Sequence, residues 1–211
     1  MSEFVHCPSP AAPMTSLSRS TLLDRSALTM RNALKSGALL PIRTNHTMIE
    51  ERGLHFSVRW VSSLALKDQA RVATVSRRNP DFNPFLPPEP DLTVDALGDA
   101  HLVVLNKFPV IDHHLLIVTR AWESQAAPLS RADFTALAQV VGAHGGLGFY
   151  NGGTEAGASQ PHKHLQWVPL PLIDSVPGIP LDALLPNSRR DGSVETVPGL
   201  PFRHAFTALN R

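Results

Sequence analysis

The sequence predicts an α+β fold, a mostly antiparallel sheet with flanking helices. Three observations carry that expectation. Two apolar runs, His101-Leu-Val-Val-Leu105 and His114-Leu-Leu-Ile-Val118, are joined by Asn106-Lys-Phe-Pro-Val-Ile-Asp-His113, a connection suited to a hairpin. A single well-marked helix follows, opened by Ser130-Arg-Ala-Asp133 and carrying Phe134, Leu137, Ala138 and Val141 as an apolar stripe. Strands joined by hairpins, with one helix between them, favour antiparallel neighbours over a parallel crossover sheet.

Leu22, Leu23, Leu28 and Leu34 recur at loosely helical spacing, which predicts a helix over about 16–36 that ends at Gly37. His55-Phe-Ser-Val-Arg-Trp-Val61 alternates and reads as a strand. Residues 79–95 contain Pro84, Pro87, Pro88 and Pro90, which remove ladder donors, so an irregular connector packed through Phe82 and Phe85 is expected. The helix begun by the capping-box-like Ser130 and Asp133 is expected to end near Gly142. Gly146-Leu-Gly-Phe-Tyr150 then leads through a short strand and a glycine-rich turn into a strand around His162. From Pro169 onward no periodicity is visible.

The 211 residues fit one large domain or one domain plus an appendage, and 43% apolar with 18% charged content describes an ordinary globular chain. No apolar run approaches the ~20 residues that a membrane-spanning helix needs. The net charge of +1 gives no global field for nucleic acid or an anionic membrane, so neither is an expected partner. The sole cysteine, Cys7, cannot form an internal disulfide, which fits a cytoplasmic setting. Residues 1–30 are serine-rich with few acids and read as a flexible tail rather than a transit peptide, because Glu3 and Asp24 interrupt the pattern. The folded domain is expected over 31–211.

The densest chemistry lies in Ser159-Gln-Pro-His162-Lys-His164-Leu-Gln166, directly after Asn151-Gly-Gly-Thr-Glu-Ala-Gly157-Ala. On a strand His162, His164 and Gln166 share one face, and Lys163, Leu165 and Trp167 the other. Four readings are open on the pattern alone. The histidines could bind zinc with His113 or His114, although no acid or cysteine except Glu155 lies near. They could be structural, each satisfied by a carbonyl. One could be a general base. Or one could attack phosphorus, a reading favoured by the upstream glycines, which permit close backbone approach, and by a serine that can meet phosphate oxygens.

The string Asn151-x-Gly153, Gly157-x-Ser159, His162-x-His164-x-Gln166 resembles the histidine-triad superfamily of nucleotide hydrolases and transferases. The Asn106 to Val118 hairpin is similar to that superfamily's upstream hairpin. Within it, Asn83-Pro-Phe-Leu-Pro-Pro-Glu-Pro90, Leu105-Asn-Lys-Phe108 and Ala158 to Gln166 resemble the ATP adenylyltransferases, also called diadenosine tetraphosphate phosphorylases. Ser36-Gly-Ala-Leu-Leu-Pro-Ile-Arg-Thr44 and Ser63-Leu-Ala-Leu-Lys67 are similar to the same branch. The likeness runs from about residue 33 to 205. Family members continue beyond the position matching Arg211, which reads as a fragment, one product of a split gene, or a degenerate enzyme.

The resemblance implies a histidine-triad-like fold and reversible phosphorolysis of a dinucleoside polyphosphate to a nucleoside triphosphate and diphosphate. His164 would attack the α-phosphorus and form an adenylyl-histidine, with His162 and Gln166 as its catalytic companions. Gln166 stands where hydrolases of the superfamily carry a third histidine; a carboxamide can bond a phosphoryl oxygen but cannot exchange a proton at neutral pH, which favours transfer to phosphate. Ser159, Gly157 and Asn151 would hold the phosphate, Asn106 would reach the ribose, His114 would support the histidine strand, and Lys67 would meet the polyphosphate. The implied partners are a dinucleoside polyphosphate, or ATP and ADP, with inorganic phosphate. No metal at the histidines and no obligatory cofactor are expected; Mg2+ would ride on the substrate phosphates. Two other functions fit the same residues: a nucleotide-binding remnant, inactive or dependent on a partner, and a histidine-triad hydrolase. No pattern in the chain fixes an oligomeric state.

Overall fold

The computed structural model describes residues 19–51, 54–61, 82–172, 178–179, 181–185 and 192–209. Helix α1 spans Arg19–Ser36 and stops where Gly37 takes a positive φ of 77°, a conformation that suits glycine beyond a helix end. Strands β1 (Thr44–Glu51) and β2 (Leu54–Val61) pair antiparallel as a two-stranded ribbon. A short 3-10 turn, Pro90–Leu92, leads into β3 (Thr93–Leu97), β4 (His101–Leu105) and β5 (Leu115–Thr119). Helix α2 (Arg131–His144), β6 (Leu147–Phe149) and β7 (His164–Val168) complete the domain. The main sheet has the order β3-β4-β5-β7-β6 and every neighbour is antiparallel. The α+β expectation is therefore met.

Several boundaries differ from the sequence reading, each for a physical reason. The ribbon's first strand, β1, has no apolar alternation and forms only as the partner of β2. The connector stops being irregular at Pro90, which opens a 3-10 turn where its missing N–H is no loss, and Thr93 and Asp95 to Leu97 then pair with β4, with a register shift at Val94. In α1 the buried face is Leu22, Ser26 and Ala33, with Met30 against the same core, so residues 19–30 are part of the folded domain rather than of the expected tail; Leu28 and Leu34 are half-exposed. Phe134 is likewise outside its assigned stripe, at 59% exposure; α2 buries Asp133, Ala136 and Val140 and runs on to His144 before the Gly145 cap.

The sheet has two unlike faces. Val103, Leu105, Leu115, Ile117, Leu165 and Trp167 pack with Leu22 of α1 and with Ala136 and Val140 of α2 in the main core. Ile117 and Leu165 are fully buried, each contributing about 1.5–3 kcal/mol by leaving water. The opposite face is covered by the connector: Phe85 packs on Val104, Leu116 and Val118. Strand alternation puts His164 and Gln166 on that second face. No helix among the described residues is long and apolar enough to cross a membrane.

Candidate active site

The glycine-rich turn is a closed structure before it meets any ligand. Gly153 carries a φ of 93° and its carbonyl accepts from Ala156 and Ala158, while Gly157, at φ 90°, donates its N–H to Thr154. A side chain at Gly157 would press on the Asn151 carboxamide, at 3.2 Å. The turn delivers Ser159, exposed and on the lip of a cleft of about 310 Å³. Phe82, Phe85, Leu92, Val104 and Leu116 make its apolar wall, and the Lys107–Glu89 ion pair (2.6 Å) sits at its polar side.

Phe85 also joins that cleft to the histidines. Its ring lies 5.6 Å from that of His162, edge to face, and 5.4 Å from that of His164. His162 precedes β7 and is bridged to Ser124, so the segment around residue 124 extends the sheet beyond β7. Lys163, Leu165 and Trp167 point into the opposite face, as alternation requires. The lysine is 2% exposed; its ammonium meets Glu123 (2.7 Å), Asp133 (3.3 Å) and the Pro128 carbonyl (3.2 Å).

Hydrogen bonds fix the proton on each ring. A carbonyl can only accept, so His164 Nδ1 donates to the His162 carbonyl at 2.8 Å, and Nε2 keeps its lone pair. Among the described residues Nε2 has no hydrogen-bond partner. His162 Nε2 donates to the Thr119 carbonyl (2.8 Å), so its Nδ1 accepts from the Asn83 amide (2.9 Å). Asn83 is turned that way because its Oδ1 accepts the Phe85 N–H. Asn106 repeats the device: Oδ1 accepts from the Phe108 N–H, Nδ2 donates to His114 Nδ1 (3.1 Å), and His114 Nε2 donates to Gln166 Oε1 (3.0 Å). The Gln166 NH2 group therefore remains as a donor for the site.

Burial pushes all three imidazoles below their ordinary pKa, so they are neutral near pH 7. For His164 the Nδ1–H bond to His162 opposes the shift, and electrostatic repulsion between the two rings on protonation adds to it. For His162 the Thr119 and Ala121 backbone opposes it, and for His114 the Gln166 bond does. Neutral imidazole is the nucleophilic form.

The structure thus brings His164, His162, Gln166 and His114 together, with Asn106 behind them, and sets Ser159 on the adjoining cleft. Asn106 is engaged with His114 and Phe108 rather than free. The Gly157 amide is held by Thr154, so its contribution is the sharp turn. Asn151 braces that turn. Lys67 lies outside the described residues. Among those residues no group of three or more His, Cys, Asp or Glu could hold a metal ion. Sequence reasoning did not assign site roles to Asn83, Thr119 or Gln125. The repeated Asn-x-Phe spacing at Asn83-Pro-Phe85 and Asn106-Lys-Phe108 was the available signal, since asparagine bonds the amide two residues on.

Comparison with known proteins yields consistent relatives. Residues 12–187 match the Ap4A phosphorylase N-terminal domain family. Over 128 residues, 54% of this chain and 38% of the relative, the sequence is 35% identical to diadenosine 5',5'''-P1,P4-tetraphosphate phosphorylase 2 of Saccharomyces cerevisiae. It is also 35% identical to the yeast protein APA1 over 101 residues, 42% of this chain and 32% of that protein. The chain thus spans well under half the length of these relatives. Crystal structures of yeast Ap4A phosphorylase Apa2 superimpose with TM-scores of 0.57 (AMP complex, 26% identity) and 0.56 (Ap4A complex, 28% identity). They cover 72% and 71% of this chain and 51% of the yeast chain in each case.

Proposed function

Since the chain belongs to the Ap4A phosphorylase family through that family's N-terminal domain, we propose that it is a nucleotidyltransferase that phosphorolyses diadenosine tetraphosphate to ATP and ADP. One observation carries the reading. The ring of His164 is neutral, its Nδ1–H is held by a carbonyl, and its Nε2 lone pair stands on the sheet face beside a nucleotide-sized cleft. In the first step Nε2 forms a bond to the α-phosphorus, and the bond from that phosphorus to the bridging oxygen breaks, releasing ATP. The His162 carbonyl stabilises the positive charge that develops on the ring through Nδ1–H. In the second step an oxygen of inorganic phosphate attacks the same phosphorus, the P–N bond breaks, and ADP leaves.

The Gln166 NH2 group donates to a non-bridging oxygen where charge grows, and Ser159 contributes its hydroxyl from the lip of the cleft. The aromatic and aliphatic wall of the cleft suits a base and its ribose. By resemblance alone, Lys67 is assigned to the polyphosphate, and Mg2+ is expected to arrive on the substrate's phosphates. The yeast structure with Ap4A supports a dinucleoside polyphosphate as the ligand class.

The test is incubation with diadenosine tetraphosphate and labelled phosphate, followed by acid-quenched mass spectrometry. Labelled ADP and an adenylyl group on His164, both absent from His164→Ala, are the expected outcome. Nucleotide binding without labelled ADP, or turnover that does not depend on phosphate, rejects the transferase.

A further inference from the structure

We propose that Gln125 is a positioning residue, whose carboxamide fixes the His164 backbone and the glycine-rich loop to one another. The proposal rests on His164 being the nucleophile. Strand β6 ends at Phe149, which pairs with Gln166. Two residues further along each strand, Asn151 would face His164, but the chain turns away there into the glycine-rich loop. The Gln125 side chain, 2% exposed, occupies the place of the missing peptide. Its Oε1 accepts the His164 N–H at 2.7 Å, and its Nε2 donates to the His164 carbonyl at 3.2 Å. The second N–H of the same amide donates to the Asn151 carbonyl at 2.8 Å.

A primary amide carries the donor and acceptor of a peptide unit plus one more N–H. It therefore does for His164 what a neighbouring strand residue would, and still has a hydrogen for the loop. Gln125 is itself held: its N–H donates to the Pro161 carbonyl (2.8 Å) and its carbonyl accepts the Tyr150 hydroxyl. Glutamate in its place could accept but not donate to the two carbonyls. An apolar chain would leave the buried His164 N–H and carbonyl without this partner, and the Asn151 carbonyl with the Gly153 N–H alone. The direction of the His164 ring follows from its backbone, so the clamp sets where Nε2 points relative to the cradle for the transferred phosphate. A buried glutamine serving stability alone would not change the reaction rate of the folded protein.

The test uses the full chain and the variants Gln125→Met and Gln125→Glu. Amide hydrogen exchange followed by NMR should show the His164 N–H exchanging about tenfold faster in Gln125→Met, as loss of one hydrogen bond requires. Single-turnover adenylylation should slow about 100-fold with little change in affinity, the penalty for a nucleophile displaced by about 1 Å. In Gln125→Glu, the rate relative to wild type should rise as pH falls, because protonation restores one donor. Unchanged His164 protection overturns the proposal, and so does adduct formation at the wild-type rate after protection is lost. If wild type itself forms no adduct, the functional reading has failed, and the exchange measurement alone decides the clamp. Should Gln125→Met not fold, a folded Gln125→Glu with wild-type rates at every pH overturns it.

Discussion

Each ring in the site is assigned a proton by a neighbour that has no freedom of its own. Backbone amides of Phe85 and Phe108 orient Asn83 and Asn106, these orient His162 and His114, and His114 orients Gln166. In Asn106→Leu the His114 Nδ1 acceptor loses its donor, so the tautomer that turns the Gln166 amide toward the site is no longer imposed. Imidazole nitrogen NMR should then show His114 populating both tautomers, with adenylylation slowed, while His164 keeps its Nδ1–H form; a purely Nε2–H His114 in the variant rejects the relay. A second expectation concerns pH. Burial depresses the His164 pKa, so the nucleophile stays neutral down to below the ordinary value of about 6.5. Single-turnover adenylylation should therefore be flat near pH 7 and fall only in more acid solution. A half-point above pH 7 contradicts a buried neutral ring. The motif histidines were legible because alternation on a strand is local. Gln125 was not, because its bond to His164 spans 39 residues and leaves no local pattern; for Asn83 the Asn-x-Phe turn is local, but its bond to His162 spans 79 residues.

The histidine strand and helix α2 are joined on the core side of the sheet by an ionic cluster. Ser130 and Asp133 form the capping box in full, and the same carboxylate bonds His101 (2.8 Å) and Lys163. Burial raises the Asp133 pKa, but the Ser130, His101 and Lys163 bonds outweigh it and hold the carboxyl below its usual value. Lys163 therefore ties the segment between the two site histidines to the first turn of α2. Lys163→Met leaves Asp133, 1% exposed, without its ammonium and should cost about 3–5 kcal/mol in chemical denaturation. Glu123 is 45% exposed, so Glu123→Gln should cost less than about 1 kcal/mol. Equal costs would show that the buried pair does not carry the linkage. The helix start was readable from Ser130 and Asp133 alone, whereas the phase of α1 was not. Its leucines do not mark its core positions, and packing against β3, the Pro90–Leu92 turn and α2 selects Leu22, Ser26 and Ala33 as the inner face. Strands β1 and β3 escaped for a related reason, since each is defined by its partner rather than by its own periodicity.

At the scale of the molecule, one sheet separates two jobs: the helix-covered face supplies the main core, and the connector-covered face holds three neutral imidazoles under a thin apolar lid. That division links function to stability. His114, His162 and His164 each have a folded-state pKa below the unfolded value, so near pH 7 neither state binds the proton and nothing is lost. As pH falls below about 6.5 the unfolded chain takes up protons that the folded site still refuses. Stability is thus present above that pH and declines as the solution is acidified toward the folded values, in proportion to the number of such rings. Thermal denaturation should show a melting temperature that falls from pH 7 to pH 5. The slope should be shallower in His114→Gln, which keeps a polar group at the site but removes one titrating ring. A wild-type melting temperature constant over that range, or an undiminished slope in the variant, would mean that these rings are not held neutral by the fold, and the supply of a nucleophilic imidazole at neutral pH would need another source.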